Sequence, residues 1–284
     1  NTSRFVRERI DTVDFFFFLI SPSKDMINRF DTFIIGSDQV WRDSYGRVES
    51  YFCDFAGESD KKIFSYAASF GLDSWQFDRE RTEVLRSLIR RFKAVSVREK
   101  DAVELCRDNL NIEVDWVLDP TLLLSKEDYI SLFKDVCKEK SEGNLMTYIL
   151  DYTEEKQGLI DVVEKQKGLK SFSIMAKENE EFPAIEKWLR GFYDAKFVLT
   201  DSFHGMVFSI IFEKPFLVVL NKQRGSSRFL SLLSTLGLED RLIENIDGFN
   251  LNLLDKEIDY ERLRKRLFAL VDRSKEFLIN CLEK

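Results

Sequence analysis

Histidine is almost missing from this chain of 284 residues: His204 is the only one. The four cysteines (Cys53, Cys106, Cys137 and Cys281) lie far apart, with no Cys-x-x-Cys pair. One imidazole and scattered thiols offer no ligand set for zinc and suggest no disulfide framework, so a reducing cytoplasm is the expected setting. A basic excess is lacking too, since 43 Lys and Arg face 50 Asp and Glu for a net charge of −7. Nucleic-acid surfaces need a positive field, and none is expected here. The apolar run Phe15-Phe16-Phe17-Phe18-Leu19-Ile20 falls far short of the roughly 20 residues that span a bilayer. No signal peptide is legible at Asn1-Thr2-Ser3-Arg4. Phosphate-loop and dinucleotide fingerprints (Gly-x-x-x-x-Gly-Lys, Gly-x-Gly-x-x-Gly) are absent, which removes ATP hydrolysis and ordinary NAD chemistry from first consideration.

What is present is the balance of a folded protein, with 44% hydrophobic and 33% charged residues. Short apolar runs predict strands at Thr32–Ile35, Ile63–Ala67, Ala94–Val97, Val114–Leu118, Leu145–Leu150, Ser171–Met175, Phe197–Thr200 and Phe216–Leu220. Helical periodicity covers about 76–91, 99–109, 126–139, 153–167, 183–193 and 203–213. Near-continuous apolar strands alternating with helices predict α/β architecture, with parallel sheets covered on both faces. The length suggests two domains. Asp119-Pro120 and the polar stretch that follows, up to Ser141-Glu142-Gly143-Asn144, mark the break. The expected organisation is a Rossmann-like domain over 1–125, a second over 126–254 with a cleft between them, and a helix over 255–284 packed on the body. That helix should bury the stripe Tyr260, Leu263, Leu267, Leu270, Val271, Ser274 and Leu278. Arg262, Arg264, Lys265 and Arg266 on its other side allow a peripheral membrane contact as a minor expectation.

In parallel sheets, chemistry gathers where strands end at their carboxyl edge. Five such ends carry polar clusters: Gly36-Ser37-Asp38-Gln39, Ser69-Phe70-Gly71, Arg98-Glu99, Asp119-Pro120 and Asp201-Ser202-Phe203-His204-Gly205. Arg98, Lys222, Arg224 and Arg228 add positive charge, and Ser226-Ser227 opens a helical pattern whose N-terminus favours an anion. Arginine matches phosphate and carboxylate bidentately, so a ligand bearing one of them is expected. Each residue also has a plainer reading: a lone histidine is more often structural than catalytic, and Gly-Ser-Asp also serves turns and caps.

The segments Gly36-Ser37-Asp38-Gln39-Val40-Trp41, Tyr66-Ala67-Ala68-Ser69-Phe70-Gly71, Val95-Ser96-Val97-Arg98-Glu99, Leu118-Asp119-Pro120-Thr121-Leu122-Leu123 and Thr200-Asp201-Ser202-Phe203-His204-Gly205 occur in this order. Through them, over about residues 31–241, the chain resembles the polysaccharide pyruvyl transferase family. The resemblance implies a GT-B-like pair of Rossmann-like domains. It also implies transfer of the enolpyruvyl group of phosphoenolpyruvate to a sugar or lipid-linked oligosaccharide, forming a pyruvate ketal. It places His204 as the catalytic residue and implies no cofactor. Arg98, Ser202, Phe203, Arg224 and Arg228 are expected at the donor. Gly36, Ser37, Asp38, Gln39, Ser69, Asp119 and Asp201 are expected at the acceptor or along the cleft. Many family members carry arginine two residues before the motif histidine, where this chain has Ser202. The family's Gly-rich first strand is expected to be missing from the first domain. The residues leave open a GT-B-type glycosyltransferase using a nucleotide sugar, or a non-catalytic relative. The expected location is the cytoplasm, with the inner face of the membrane as an alternative.

Overall fold

A computed structural model describes residues 2–11, 23–57, 60–176, 181–221 and 224–283. The phenylalanine run at 15–18 and Lys222 lie outside the described residues. The architecture is α/β with two wholly parallel sheets. Contacts divide the chain into two compact units. One comprises Asn1–Thr12, Leu124–Lys222 and Leu233–Arg264; the other comprises Val13–Leu123, Gln223–Leu232 and Lys265–Lys284.

The unit built on the first half carries a four-stranded sheet in the order β1-β2-β3-β4. These are β1 (Thr32–Ile35), β2 (Lys62–Ala68), β3 (Ala94–Val97) and β4 (Asp115–Trp116). Strand β2 is buried along almost its whole length, as a central parallel strand requires. Two short helices, α1 (Thr2–Arg7) and α2 (Lys24–Asn28), come first in the chain. Helix α3 (Arg79–Ile89) starts at Asp78, whose side chain accepts from the Arg81 N–H, and buries Thr82, Leu85 and Ile89. Helix α4 (Lys100–Leu105) runs on into a π-turn over Cys106–Leu110. Trp41, Phe52, Phe70, Leu85, Ile89 and Val97 form the core of this unit.

The other unit holds a five-stranded sheet in the order β6-β5-β7-β8-β9. Its strands are β5 (Leu145–Tyr148), β6 (Ser171–Ser173), β7 (Phe197–Thr200), β8 (Phe216–Val219) and β9 (Leu242–Ile243). Its helices include α5 (Lys126–Phe133), opened by a Ser125/Asp128 capping box, α6 (Glu154–Lys167) and α7 (Ile185–Asp194). Helix α8 (Phe203–Ile211) is apolar all round and correspondingly buried on nearly every side. Helices α9 (Ser227–Leu236) and α10 (Tyr260–Glu283) come last in the chain, their residues 227–232 and 265–283 belonging to the four-stranded unit. Among the described residues no helix is long and apolar enough to cross a membrane.

Several expected elements shorten. The strand expected at Val114–Leu118 is only Asp115–Trp116, because the Leu118 N–H turns to the Ser274 hydroxyl at 3.0 Å. Leu145–Leu150 ends at Tyr148, since the Leu150 N–H donates to Asp201 rather than to a ladder. The two-residue β9 was not expected, being too short for any periodicity. The tail helix starts at Tyr260 rather than 255, and its buried or half-buried positions include the anticipated stripe plus Phe277.

Candidate functional site

Strand β7 delivers Thr200-Asp201-Ser202 to the start of α8, and local chemistry holds that junction tightly. The Thr200 hydroxyl donates to the Tyr148 carbonyl at 2.6 Å and accepts from the Ser202 N–H at 3.0 Å. Ser202 is the N-cap of α8, its Oγ accepting from the Gly205 N–H at 3.3 Å. A side chain at position 205 would meet Thr200 Oγ1 at 2.1 Å, so only glycine lets the first turn of α8 approach β7 this closely. His204 follows in that first turn, half-buried, its ring edge-on to Phe203 with centroids 5.4 Å apart.

Asp201, completely buried, ties this junction to the end of β5. Its Oδ1 accepts from the Leu150 N–H at 2.6 Å, and its Oδ2 accepts from the Asp151 N–H at 3.1 Å and from Lys156 Nζ at 2.7 Å. Lys156, in the first turn of α6, also donates to the Asp151 carbonyl at 2.6 Å. Asn221, just past β8, bonds Asp151 and reaches Asp201 at 3.5 Å. A buried carboxylate is tolerable only with such an opposite charge and several donors around it. The carboxyl ends of β5, β7 and β8 are thereby locked together.

The four-stranded unit gathers its own cluster. Arg98 follows β3 and is only 4% exposed. Its Nε donates to Glu99 at 3.0 Å, its Nη1 to Asp119 at 2.8 Å, and its Nη2 reaches Asp38 at 3.5 Å. Burial opposes the Arg98 charge, but Glu99, Asp119 and Asp38 outweigh burial and push its pKa upward. Ser37 donates to Asp119 at 3.0 Å and Ser69 to Glu99 at 2.8 Å. Burial pushes the Glu99 carboxyl up against the lowering pull of Arg98, and its Oε2 has no hydrogen-bond partner among the described residues. Four strand-end segments, Ser37-Asp38, Ser69, Arg98-Glu99 and Asp119, therefore meet around one guanidinium.

Residues 223–232 belong to the same unit. Arg228, 7% exposed, feels the Arg98, Asp38 and Glu99 charges; burial and then the like charge of Arg98 bring its pKa down to about 10. Ser227 Oγ donates to Asp101 at 2.5 Å, and the Lys100 N–H donates to Ser231 Oγ at 3.1 Å, so α4 and the first turns of α9 are stitched together. Gly225 has φ +90°, and a Cβ there would sit 1.8 Å from the Gly71 carbonyl oxygen. That contact fits only glycine and fixes the approach of 224–228. Arg42 Nη1 donates to Gln39 Oε1 at 2.6 Å and reaches the Arg224 carbonyl at 3.5 Å.

The residues anticipated from sequence thus fall into two groups. Ser37, Asp38, Ser69, Arg98 and Asp119 cluster in one unit, with Arg228 in electrostatic range and Gln39 and Arg224 joined through Arg42. Gly36 follows β1 with open space where a side chain would be. Asp201, Ser202, Phe203 and His204 lie in the other unit. Sequence reasoning missed Lys156, Asp151 and Asn221, which complete the buried network under α8; Glu99, noted only within the strand-end cluster Arg98-Glu99, is one of three carboxylates around Arg98. No periodic or motif signal marks the first three.

Two units with wholly parallel sheets and polar groups at the carboxyl ends of the strands define the Rossmann-like α/β class. Within that class, the family model for polysaccharide pyruvyl transferase matches residues 1–223, and the chain belongs to that family. A search of curated proteins returned no match.

Proposed function

We propose that the protein moves the enolpyruvyl group of phosphoenolpyruvate onto a sugar of a surface polysaccharide or its precursor, leaving a pyruvate ketal. The observation that carries this reading is His204, the one imidazole of the chain, in the first turn of a helix whose start is fixed by a buried carboxylate network. In the proposed reaction the methylene carbon of phosphoenolpyruvate takes a proton, which makes the adjacent carbon electrophilic. One sugar hydroxyl adds to that carbon. The C–O bond to phosphate breaks, and a second hydroxyl closes the ketal. Of the two hydroxyl protons released, one balances the proton taken by the methyl carbon and the other leaves on phosphate. Histidine is suited to such a proton transfer near neutral pH.

Among the basic residues, we assign anion recognition to Arg228. Arg98 is already surrounded by three carboxylates, so we give it the role of holding Asp38 and Asp119 in place. Calorimetric titration tests the donor directly: phosphoenolpyruvate should bind and a nucleoside diphosphate should not. His204→Ala should lose about 10²–10⁴ in transfer rate with an unchanged melting temperature. A variant that keeps most of its turnover would remove His204 from the mechanism, and binding of the nucleotide alone would make the protein a glycosyltransferase.

A further inference from the structure

Beyond the carboxyl end of β1, the unit that contains Arg98 has an open hollow of about 600 Å³. That volume is within the ~300–1,000 Å³ usual for small-molecule sites. Asp38, Gln39, Ser44, Tyr45, Gly46 and Tyr51 line it, and Asp38 is the only charged residue among its lining groups. The Tyr45 ring is 48% exposed, and the Arg42 guanidinium stands 5.1 Å from its centroid. Neither the Tyr45 nor the Ser44 hydroxyl is hydrogen-bonded to any described residue. One oxygen of Asp38 accepts from the Gln39 N–H at 2.9 Å and faces Arg98, whereas the other receives no hydrogen bond among the described residues.

The backbone of Asp38 is left-handed, with φ +77°. For a residue with a Cβ this conformation costs on the order of 1 kcal/mol, and such strain collects at functional positions. Here it is held by bonds from the Val40 and Ser69 N–H groups to the Asp38 carbonyl. The side chain is consequently presented outward, 62% exposed.

These are the demands of an uncharged sugar ring. A pyranose has a C–H face that an aromatic wall covers, and a rim of hydroxyls that a carboxylate and neutral hydroxyls can bind. Asp38 is the one charged side chain of the lining itself, and its unbonded oxygen is an acceptor for hydroxyls. Arg228 is close enough for its charge to be coupled to Asp38 and Tyr45, so the hollow lies beside the residue assigned to the anion. We propose that this hollow is the acceptor subsite, seating a neutral pyranose with Tyr45 against its C–H face and Asp38 accepting from its hydroxyls. The assignment rests on the pyruvyl-transfer reading for the word acceptor, but not for the sugar.

Saturation-transfer NMR without any donor tests it, using lactose, cellobiose and the methyl glycosides of galactose, glucose and mannose. At least one probe should receive saturation from the wild-type protein, strongest at its C–H face. Tyr45→Ala and Asp38→Asn should each weaken that binding roughly tenfold, while Tyr45→Phe retains it. No probe bound by the wild type, or a bound probe indifferent to Tyr45→Ala, overturns the subsite. A parallel phosphoenolpyruvate titration separates the two readings. Donor binding without Tyr45-dependent sugar binding removes the subsite alone. Tyr45-dependent sugar binding without donor binding removes the donor and leaves a sugar site standing.

Discussion

Replacing Arg228 by methionine should make the protein more stable while abolishing its affinity for anions. Burial and the neighbouring Arg98 hold the Arg228 guanidinium at about 10, well below the ordinary arginine range. A group whose folded pKa is depressed contributes stability only above its unfolded value, and that contribution is lost as pH falls through about 10. At neutral pH the residue is charged in both states, so its burial works against folding. Each tenfold change in a proton equilibrium is about 1.4 kcal/mol, which sets the penalty at about 3 kcal/mol. Methionine forgoes the guanidinium contact with the Phe229 ring, whose centroid is 5.4 Å away, worth roughly 0.5–1 kcal/mol. The net gain should be about 2 kcal/mol, or roughly 4–8 °C in melting temperature at roughly 2–4 °C per kcal/mol.

The assay is a pair of thermal melts at neutral pH, with and without inorganic phosphate or phosphoenolpyruvate. Wild-type protein should melt lower than Arg228→Met in buffer and should be raised by the anion, because a ligand that binds only the folded state adds stability by mass action. The variant should not respond to the anion. A variant that melts below wild type would refute the reasoning: Arg228 would then stabilise the fold and would not be a cation held at cost for a ligand.

Asp201→Asn should cost about 3–5 kcal/mol, because it leaves the Lys156 ammonium buried without its counter-charge, whereas adding Lys156→Met should recover part of the loss. Thermal melts of the single and double variants check this, and an Asp201→Asn protein that melts with wild type would deny the network its role. Gly205→Ala should destabilise by roughly 1–3 kcal/mol through its overlap with Thr200 Oγ1, and Thr200→Ala in the same chain should cost less than the two changes summed. Denaturant titration of the set decides it: simple additivity would mean that the two residues do not press on each other.

The parallel α/β class was legible because its strands are nearly uninterrupted apolar runs. β1, β3 and β7 have the bounds their hydrophobic residues dictate, and β3 and β7, buried along nearly all their length, need no alternation to be recognised. Legibility fails where a strand end is decided by a distant partner. β4 stops short because Leu118 pairs with Ser274, 156 residues away in sequence, and β5 stops short because Leu150 pairs with Asp201. Lys156 illustrates the same limit. In a helix rich in Glu, Lys and Gln it reads as one more solvated side chain, yet it is buried against a carboxylate 45 positions later. Tyr45 and Tyr51 were silent for another reason: single aromatics in a non-periodic stretch carry no pattern, and they meet Asp38 around one hollow only in the folded chain.

Ser202 occupies the position where the family resemblance leads one to expect arginine, and the fold shows what each residue would exchange there. Serine is 4% exposed and supplies the N-cap of α8, and its main-chain N–H is tied to Thr200. An arginine would forgo that cap, at about 1 kcal/mol, and would bring a second cation next to an Asp201 already neutralised by Lys156. The serine thus adds no charge to the buried network and sets the first turn that carries His204. For the donor we propose, with its phosphate and carboxylate, we assign the cation to Arg228 rather than to position 202. Arg228 has the required signature: a guanidinium kept in a desolvated place beside a like charge, against the interest of the fold. In this chain position 202 therefore serves the helix cap alone, and the first turn of α8 carries His204 without a second cation beside Asp201.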